Sequence, residues 1–354
     1  MFVQLANEFC RMGVEVSLVL ATRRGPYLNE VAAGVRIVDL GAKGVLSALP
    51  RLIRCLRSER PDVLLSALDH SNVAAVLACR MSGSHTRCII SMRSVPSAVY
   101  ANESRMRGWV LPALMRRLYP RASGVIANSQ VAADDLIGNF GVPAQKISVI
   151  YNPLDLGLIS TLAAQKIDLP WLSENRTPLI LAVGSLSKLK DFPTLICAFA
   201  IVRSKMPCRL AILGQGPDLA ALEDQVRELN LRPHVWFGGF LQNPFSWMRA
   251  ASVVVSSSLT EGCPNVLMQA LACGSAIVST DSVGGSSELL QGGRWGRLVP
   301  VGDSQAMADA IEETLRASQH VDVQQRAAEF AMGRIARQYL KQLLPDQTPL
   351  MAEA

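Results

Sequence analysis

Aromatic side chains are scarce in this 354-residue chain, at 5%, and charged residues make up only 18%. The basic residues have no interleaved aromatics and no nucleic-acid motif, so a nucleic-acid partner is not expected. No stretch of about eighteen apolar residues runs free of charge or turn residues, so no transmembrane helix is expected. The opening MFVQLANEFCRMG lacks a basic start, a long apolar centre and a small-residue cleavage site, and does not read as a signal peptide. The eight cysteines include no C-x-x-C pair and sit mostly in apolar segments. They read as buried, reduced thiols of a cytoplasmic protein. The four histidines are dispersed, so no metal site is expected. No G-x-G-x-x-G follows a first strand, which argues against a nicotinamide dehydrogenase.

What is present is a globular composition, 49% apolar, in a chain long enough for two domains. The charge is uneven. Residues 1–150 hold 18 Lys and Arg against 10 Asp and Glu, and residues 151–354 hold 17 against 19. A basic first half and a slightly acidic second half suit different partners.

Apolar runs of strand length alternate with helical patterns along most of the chain. VEVSLVLA (14–21) reads as a buried strand, and further strands are expected at 35–41, 62–68, 86–92, 122–129 and 147–155. Helices are expected at 2–12, 45–61, 72–83, 103–121 and 130–141. The alternation restarts after Pro178, with strands at 179–186, 209–216, 235–240, 252–258, 275–280 and 296–301. Helices at 191–205, 217–230, 243–250, 265–273, 286–293 and 303–318 intervene, and one long final helix spans 323–344. Two β/α series in succession imply an α/β protein of two doubly wound parallel sheets. The expected divisions are 1–153, 154–322 and a returning segment, 323–354. A doubly wound domain normally opens with its central strand and a Gly-rich turn. This chain opens inside the helix that would follow, so the first strand is expected to be missing; a misassigned start, a fragment and a decayed gene all fit.

Within LTEGCPNVLMQALACGSAIVS (259–279), Glu261-Gly262 precedes a helix start at Cys263-Pro264-Asn265-Val266. A helix start offers unpaired N–H groups and a positive dipole end to an anion. Together with VIYNPLD, VGSLSKLKDFPTLICAFA, LAILGQGP, FGGFLQNPFSWMRAASVVVSS and GRLVPVGD, this stretch resembles the GT-B retaining glycosyltransferases of family four. The resemblance implies two Rossmann-like domains facing a cleft. It implies transfer of a sugar from a nucleotide-sugar, UDP-sugar first among the candidates, to an acceptor hydroxyl with retention. No cofactor or metal is implied. The expected setting is synthesis of cell-surface polysaccharide or lipopolysaccharide, with a saccharide or lipid-linked saccharide as acceptor.

The resemblance makes Glu261 the holder of donor-sugar hydroxyls and, with His70, a candidate catalytic residue. His70 lies in SALDHSN at a strand's C-terminal end, where a structural histidine is an equal alternative. The donor would be held by Gly184, Ser185, Lys190, Gly214, Gly262, Cys263, Asn265, Val266, Gln269 and Glu288. Two of these depart from the family pattern. Ser185 stands where an Arg is usual, leaving Lys190 as a point charge for the diphosphate. Gln269 stands where a second Glu usually binds the ribose, which weakens that contact without abolishing it. Glu288 fits either a donor-sugar contact or an ordinary helix-start carboxylate. Another place where a His is common reads Arg93. The segment 103–121 mixes arginines with Trp109, Leu111, Leu114, Met115 and Leu118, suiting either an anionic inner-membrane surface or a domain helix with solvated arginines. The alternative function is a degenerate homologue that binds nucleotide or a partner without transfer; a GT-B epimerase lacks motif support.

Overall fold

The computed structural model describes residues 1–101, 106–167, 177–317 and 321–345. The chain divides into two units, one formed by residues up to Pro153 and from Met332 onward, the other by Leu154–Ala331.

In the first unit the strands are β1 (Ser17–Leu20), β2 (Arg36–Asp39), β3 (Val63–Ala67), β4 (Arg87–Met92), β5 (Gly124–Ala127) and β6 (Ile147–Val149). All pairings are parallel, but they form two pieces: β1 with β2, and β3-β4-β5-β6. Among the described residues no ladder joins β1 to β3. The consequence is visible in burial. β4 is buried along five of its six residues, whereas β1 is exposed or half-buried throughout. The expectation of a buried strand at 14–21 is therefore corrected: apolar character is there, but among the described residues no strand pairs with its second edge to bury it. Leu5 and Phe9 of the helix Phe2–Arg11 pack on Ile89, Ile126 and Ile150, together with Ile335, Tyr339 and Leu340 of the helix Met332–Leu343.

The second unit carries β7 (Leu179–Val183), β8 (Arg209–Leu213), β9 (Val235–Gly239), β10 (Val253–Ser256), β12 (Ile277–Thr280) and β14 (Arg297–Val299) in one parallel sheet. Their order is β14-β12-β10-β7-β8-β9. β10 and β12 are buried along their whole length, as expected of a parallel sheet covered on both faces. Phe192–Lys205 packs with Ser304–Arg316 in one helical layer. Leu156–Ala163, Phe245–Ala250 and Asn265–Cys273 pack together in another. The two-residue strands β11 (Thr260–Glu261) and β13 (Val283–Gly284) pair separately.

The order of strands matters for function. From β7 the chain moves to β8 and β9 on one side, then returns so that β10 lies on the other side of β7. The loops after β7 and β10 thus part in opposite directions, which makes a crevice at the strands' C-terminal ends the place for a ligand.

The long final helix is two helices, Gln324–Ala328 and Met332–Leu343. The break is used: Leu154 N–H donates to Phe330 O at 2.8 Å, and Leu154 bridges Ala331. The chain returns to the first unit at Met332, nine residues later than the sequence suggested. Leu156–Ala163 was not expected as a helix, although Asp155 caps it by accepting from Leu158 N–H at 2.9 Å. All eight cysteines are free thiols; Cys88, Cys208 and Cys263 are buried and the others half-buried. Burial pushes the Cys208 thiol up to about 11 and that of Cys273 up to about 12.

Candidate active site

The loop after β7 begins at Gly184 and Ser185 and reaches a single 3-10 turn, Lys188–Lys190. Its position is set by backbone contact with the loop after β8. Gly184 N–H donates to Leu213 O at 2.9 Å, and Leu186 N–H to Gln215 O at 3.0 Å. A Cβ on Gly214, at φ +148, would lie 1.8 Å from Gly184 O, so only glycine fits there. The Gly214 N–H is taken by Gly239 O at 2.8 Å. The N–H of Gly214 thus goes to a neighbouring strand, and its bareness admits the Gly184 carbonyl.

The Lys190 side chain runs back across Gly184. A Cβ on Gly184 would meet Lys190 Cε at 3.3 Å. The ammonium of Lys190 is ion-paired with Glu261 Oε1, and both side chains are largely buried. Ser258 Oγ donates to the same oxygen at 2.8 Å. Two groups that the sequence assigned to different parts of a ligand thus meet each other directly, one from β7 and one from β10.

Glu261 is fixed through β11, where it pairs with Gly284 of β13. Gly284 has φ +134, and a Cβ there would lie 1.4 Å from Glu261 O. Beyond it comes Gly262, then Cys263, which is buried with its Sγ 3.6 Å from Met268 Sδ. Pro264 stands one place before the helix Asn265–Cys273, whose first internal bonds run from Leu267 and Met268 to Pro264 O. The N–H of Val266 lies ahead of these bonds, where a helix start meets an anion. Gly274, at φ +77, ends this nine-residue helix.

Asn265, Val266 and Gln269 are the exposed and half-buried positions of that helix's first two turns, and three- and four-residue spacing puts them on one face. The Gln269 amide has no hydrogen-bond partner among the described residues. Ser185 is exposed, and its hydroxyl lies 3.3 Å from that of Ser187. Glu288 is half-buried in the short helix Ser286–Leu289, and its backbone oxygen accepts from Gln291 N–H at 3.2 Å.

In the first unit, His70 is half-buried, the second residue of the helix Asp69–Ser82. It follows Leu68, an exposed residue at φ 74 and ψ 136. A leucine in that region is strained, and such strain collects where a turn is held for a purpose. The neighbouring Asp69 is well anchored. Tyr100 Oη donates to its carboxylate at 2.6 Å and Tyr119 Oη to its carbonyl at 3.4 Å. Burial, then the Asp69 charge, push the Tyr119 phenol far above its ordinary range, so it stays a neutral donor. Arg93 bonds Asn152 Oδ1 through Nη2 and sits 5.6 Å from the Phe2 ring centre, while its Nη1 is buried with no hydrogen-bond partner among the described residues.

The structure therefore gathers Gly184, Lys190, Gly214, Glu261, Gly262 and the helix bearing Gln269 at the β7–β10 crevice. Sequence reasoning missed Ser257, Ser258 and Gly284, which hold that group in place. A cavity of about 700 Å³ lies elsewhere, at the N-terminal ends of β3 and β4. Of its basic residues, Arg57 donates to Met81 O and Ser82 O, and Arg87 to Leu343 O. These two guanidinium groups cap the C-terminal ends of the helices Asp69–Ser82 and Met332–Leu343.

Comparison with known proteins adds a family. The family model for glycosyl transferases group 1 matches residues 177–317, and the model for glycosyltransferase family 4 matches residues 1–158. The N-acetylgalactosamine-N,N'-diacetylbacillosaminyl-diphospho-undecaprenol 4-alpha-N-acetylgalactosaminyltransferase of Campylobacter jejuni is 34% identical over 282 residues, or 78% of this chain and 74% of that protein. The lipopolysaccharide core biosynthesis glycosyltransferase LpsE of Rhizobium meliloti is 25% identical over 95% of this chain and 91% of its own. Among solved structures, Anabaena Alr3699/HepE in complex with UDP and glucose has a TM-score of 0.76 at 22% identity, covering 96% of this chain and 95% of that one. Sucrose-phosphate synthase from Thermosynechococcus elongatus has a TM-score of 0.77 at 20% identity, covering 99% and 92%.

Proposed function

The chain belongs to the group 1, family four glycosyltransferases, and from that premise we propose a metal-independent, retaining transfer from a UDP-sugar to a lipid-linked saccharide. The fold is GT-B, and the protein is a sugar-transferring enzyme that uses a nucleotide-sugar donor. The observation that carries the finer reading is the convergence of Lys190 and Glu261 at the β7–β10 crevice.

In this reading the glycosidic C–O bond breaks at the anomeric carbon and the diphosphate leaves with its electron pair. The acceptor oxygen bonds that carbon on the same face, and its proton passes to the departing phosphate. The diphosphate charge is met by Lys190 and by N–H groups at the start of Asn265–Cys273, with no metal required. Glu261 holds hydroxyls of the sugar. His70, on the first unit, is assigned to contact the acceptor. UDP as the nucleotide is supported by the structural likeness to a UDP-bound protein. A lipid-linked acceptor is supported by the diphospho-undecaprenol substrate named for the Campylobacter relative. The test is transfer from labelled UDP-sugars to an undecaprenyl-diphosphate saccharide in EDTA, with the product's anomeric configuration read by NMR. An inverted product, or transfer only after metal is restored, contradicts the proposal.

Gln269 provides a graded check. An amide accepts from ribose hydroxyls through one neutral oxygen, whereas a carboxylate does so with charge assistance, worth about 1 kcal/mol here. Gln269→Glu is expected to tighten UDP binding about fivefold by calorimetry. Equal or weaker binding would show that the residue does not meet the ribose.

The helix Met106–Leu118 supports docking at an anionic membrane surface. Leu111, Met115 and Leu118 face the core, while Trp109 is 77% exposed and Val110, Leu114 and Arg117 are exposed beside it. An apolar strip flanked by arginine suits the boundary of an anionic bilayer. No helix among the described residues is long and apolar enough to cross a membrane. Sedimentation with vesicles containing anionic lipid is expected to capture the protein, and Trp109→Ala to reduce the bound fraction severalfold. Binding unaffected by that change would show that this helix does not meet the membrane.

A further inference from the structure

β10 ends at Ser256, and the two residues that follow it are also serines, both buried. Their hydroxyls point to different halves of the ion pair. Ser257 Oγ donates to the backbone oxygen of Lys190 at 2.7 Å. Ser258 Oγ donates to Glu261 Oε1 at 2.8 Å. Leu259 N–H then bonds Leu189 O at 2.9 Å, so three consecutive residues hold the lysine loop and the glutamate together. The strip is itself pinned from β12, where Thr280 Oγ1 donates to Ser258 O at 2.6 Å.

The distribution of bonds on the Glu261 carboxylate is uneven. Lys190 and Ser258 both address Oε1. Among the described residues nothing bonds Oε2. A carboxylate held twice through one oxygen cannot swing freely, and its other oxygen is left to accept from a ligand.

We propose that Ser258 and Ser257 are positioning residues for donor binding: Ser258 orients Glu261 so that Oε2 meets the donor sugar, and Ser257 places Lys190 for the diphosphate. This rests on the reading of Glu261 and Lys190 given above. The two serines thereby divide the donor between them, one acting on the sugar and the other on the nucleotide diphosphate.

That division is measurable. Calorimetry would compare UDP with UDP-glucose and UDP-N-acetylgalactosamine on Ser258→Ala, Ser258→Thr, Ser257→Ala and Glu261→Gln. Ser258→Ala is expected to weaken the bound UDP-sugar about tenfold, the loss of a hydrogen bond to a charged group, and to leave UDP unchanged. Ser258→Thr, which keeps the hydroxyl, is expected to restore the wild-type value within about twofold. Ser257→Ala is expected to weaken UDP and UDP-sugar alike. Should Ser258→Ala weaken both ligands equally, its role is only structural and the proposal falls. Should it change neither while Glu261→Gln weakens the sugar nucleotide, the proposal falls and the reading of Glu261 survives. Should Glu261→Gln leave UDP-sugar affinity intact, that reading fails and takes the proposal with it.

Discussion

Glu261→Gln is expected to lower kcat/KM for sugar transfer by about a hundredfold or more, the scale of losing one preorganised polar group from an active site. The substitution keeps shape and removes charge. Lys190 then loses its ionic partner in a largely buried setting, and a charge left without its partner there is costly. Ser258 keeps an oxygen to donate to, so the loop geometry is retained. The loss should therefore appear in catalysis and donor binding, with the circular dichroism spectrum unchanged. Initial-rate kinetics on the folded variant check this, and a drop of less than about threefold would remove Glu261 from the site.

Gly284→Ala is expected to have the largest structural effect. The added Cβ would stand 1.4 Å from Glu261 O, and the residue has φ +134. Strain of that backbone conformation alone costs about 1–3 kcal/mol for a residue with a side chain. The collision adds to it, because the obstacle is backbone in a paired strand and cannot rotate aside. Either β11 and β13 separate, carrying Glu261 away, or the second unit is destabilised by more than about 3 kcal/mol. Denaturant unfolding together with a transfer assay covers both routes. A variant with normal stability and normal transfer would contradict the geometry.

Much of this site is written locally. The helix Asn265–Cys273 has the bounds its sequence predicts, because a proline before it and a glycine after it punctuate an apolar periodic run. Glu261 and Lys190 are recognisable from their motifs. Their ion pair is not, because it joins residues 71 apart and exists only once β7 and β10 are neighbours. Gly284 was invisible for a similar reason: what makes it necessary is the Glu261 carbonyl, not its own flanking residues. The serines after β10 read as the tail of an apolar strand, and only burial shows that their hydroxyls need partners. The break between Ala328 and Met332 lay inside a pattern that is helical on both sides; a contact with Leu154 decides it. At β1 the apolar run specifies a strand but not its burial, because burial depends on a neighbour that local pattern does not reveal.

A nucleotide-sugar site at the β7–β10 crevice that needs no metal is tested by thermal unfolding in EDTA with UDP, GDP and ADP, each with and without its sugar. Stabilisation by UDP and UDP-sugars is expected, about 2.7 kcal/mol at a hundredfold excess over the dissociation constant. Lys190→Ala is expected to remove most of that stabilisation. A cooperatively unfolding protein that responds to none of these ligands in EDTA, or only once a divalent metal is added, would contradict it.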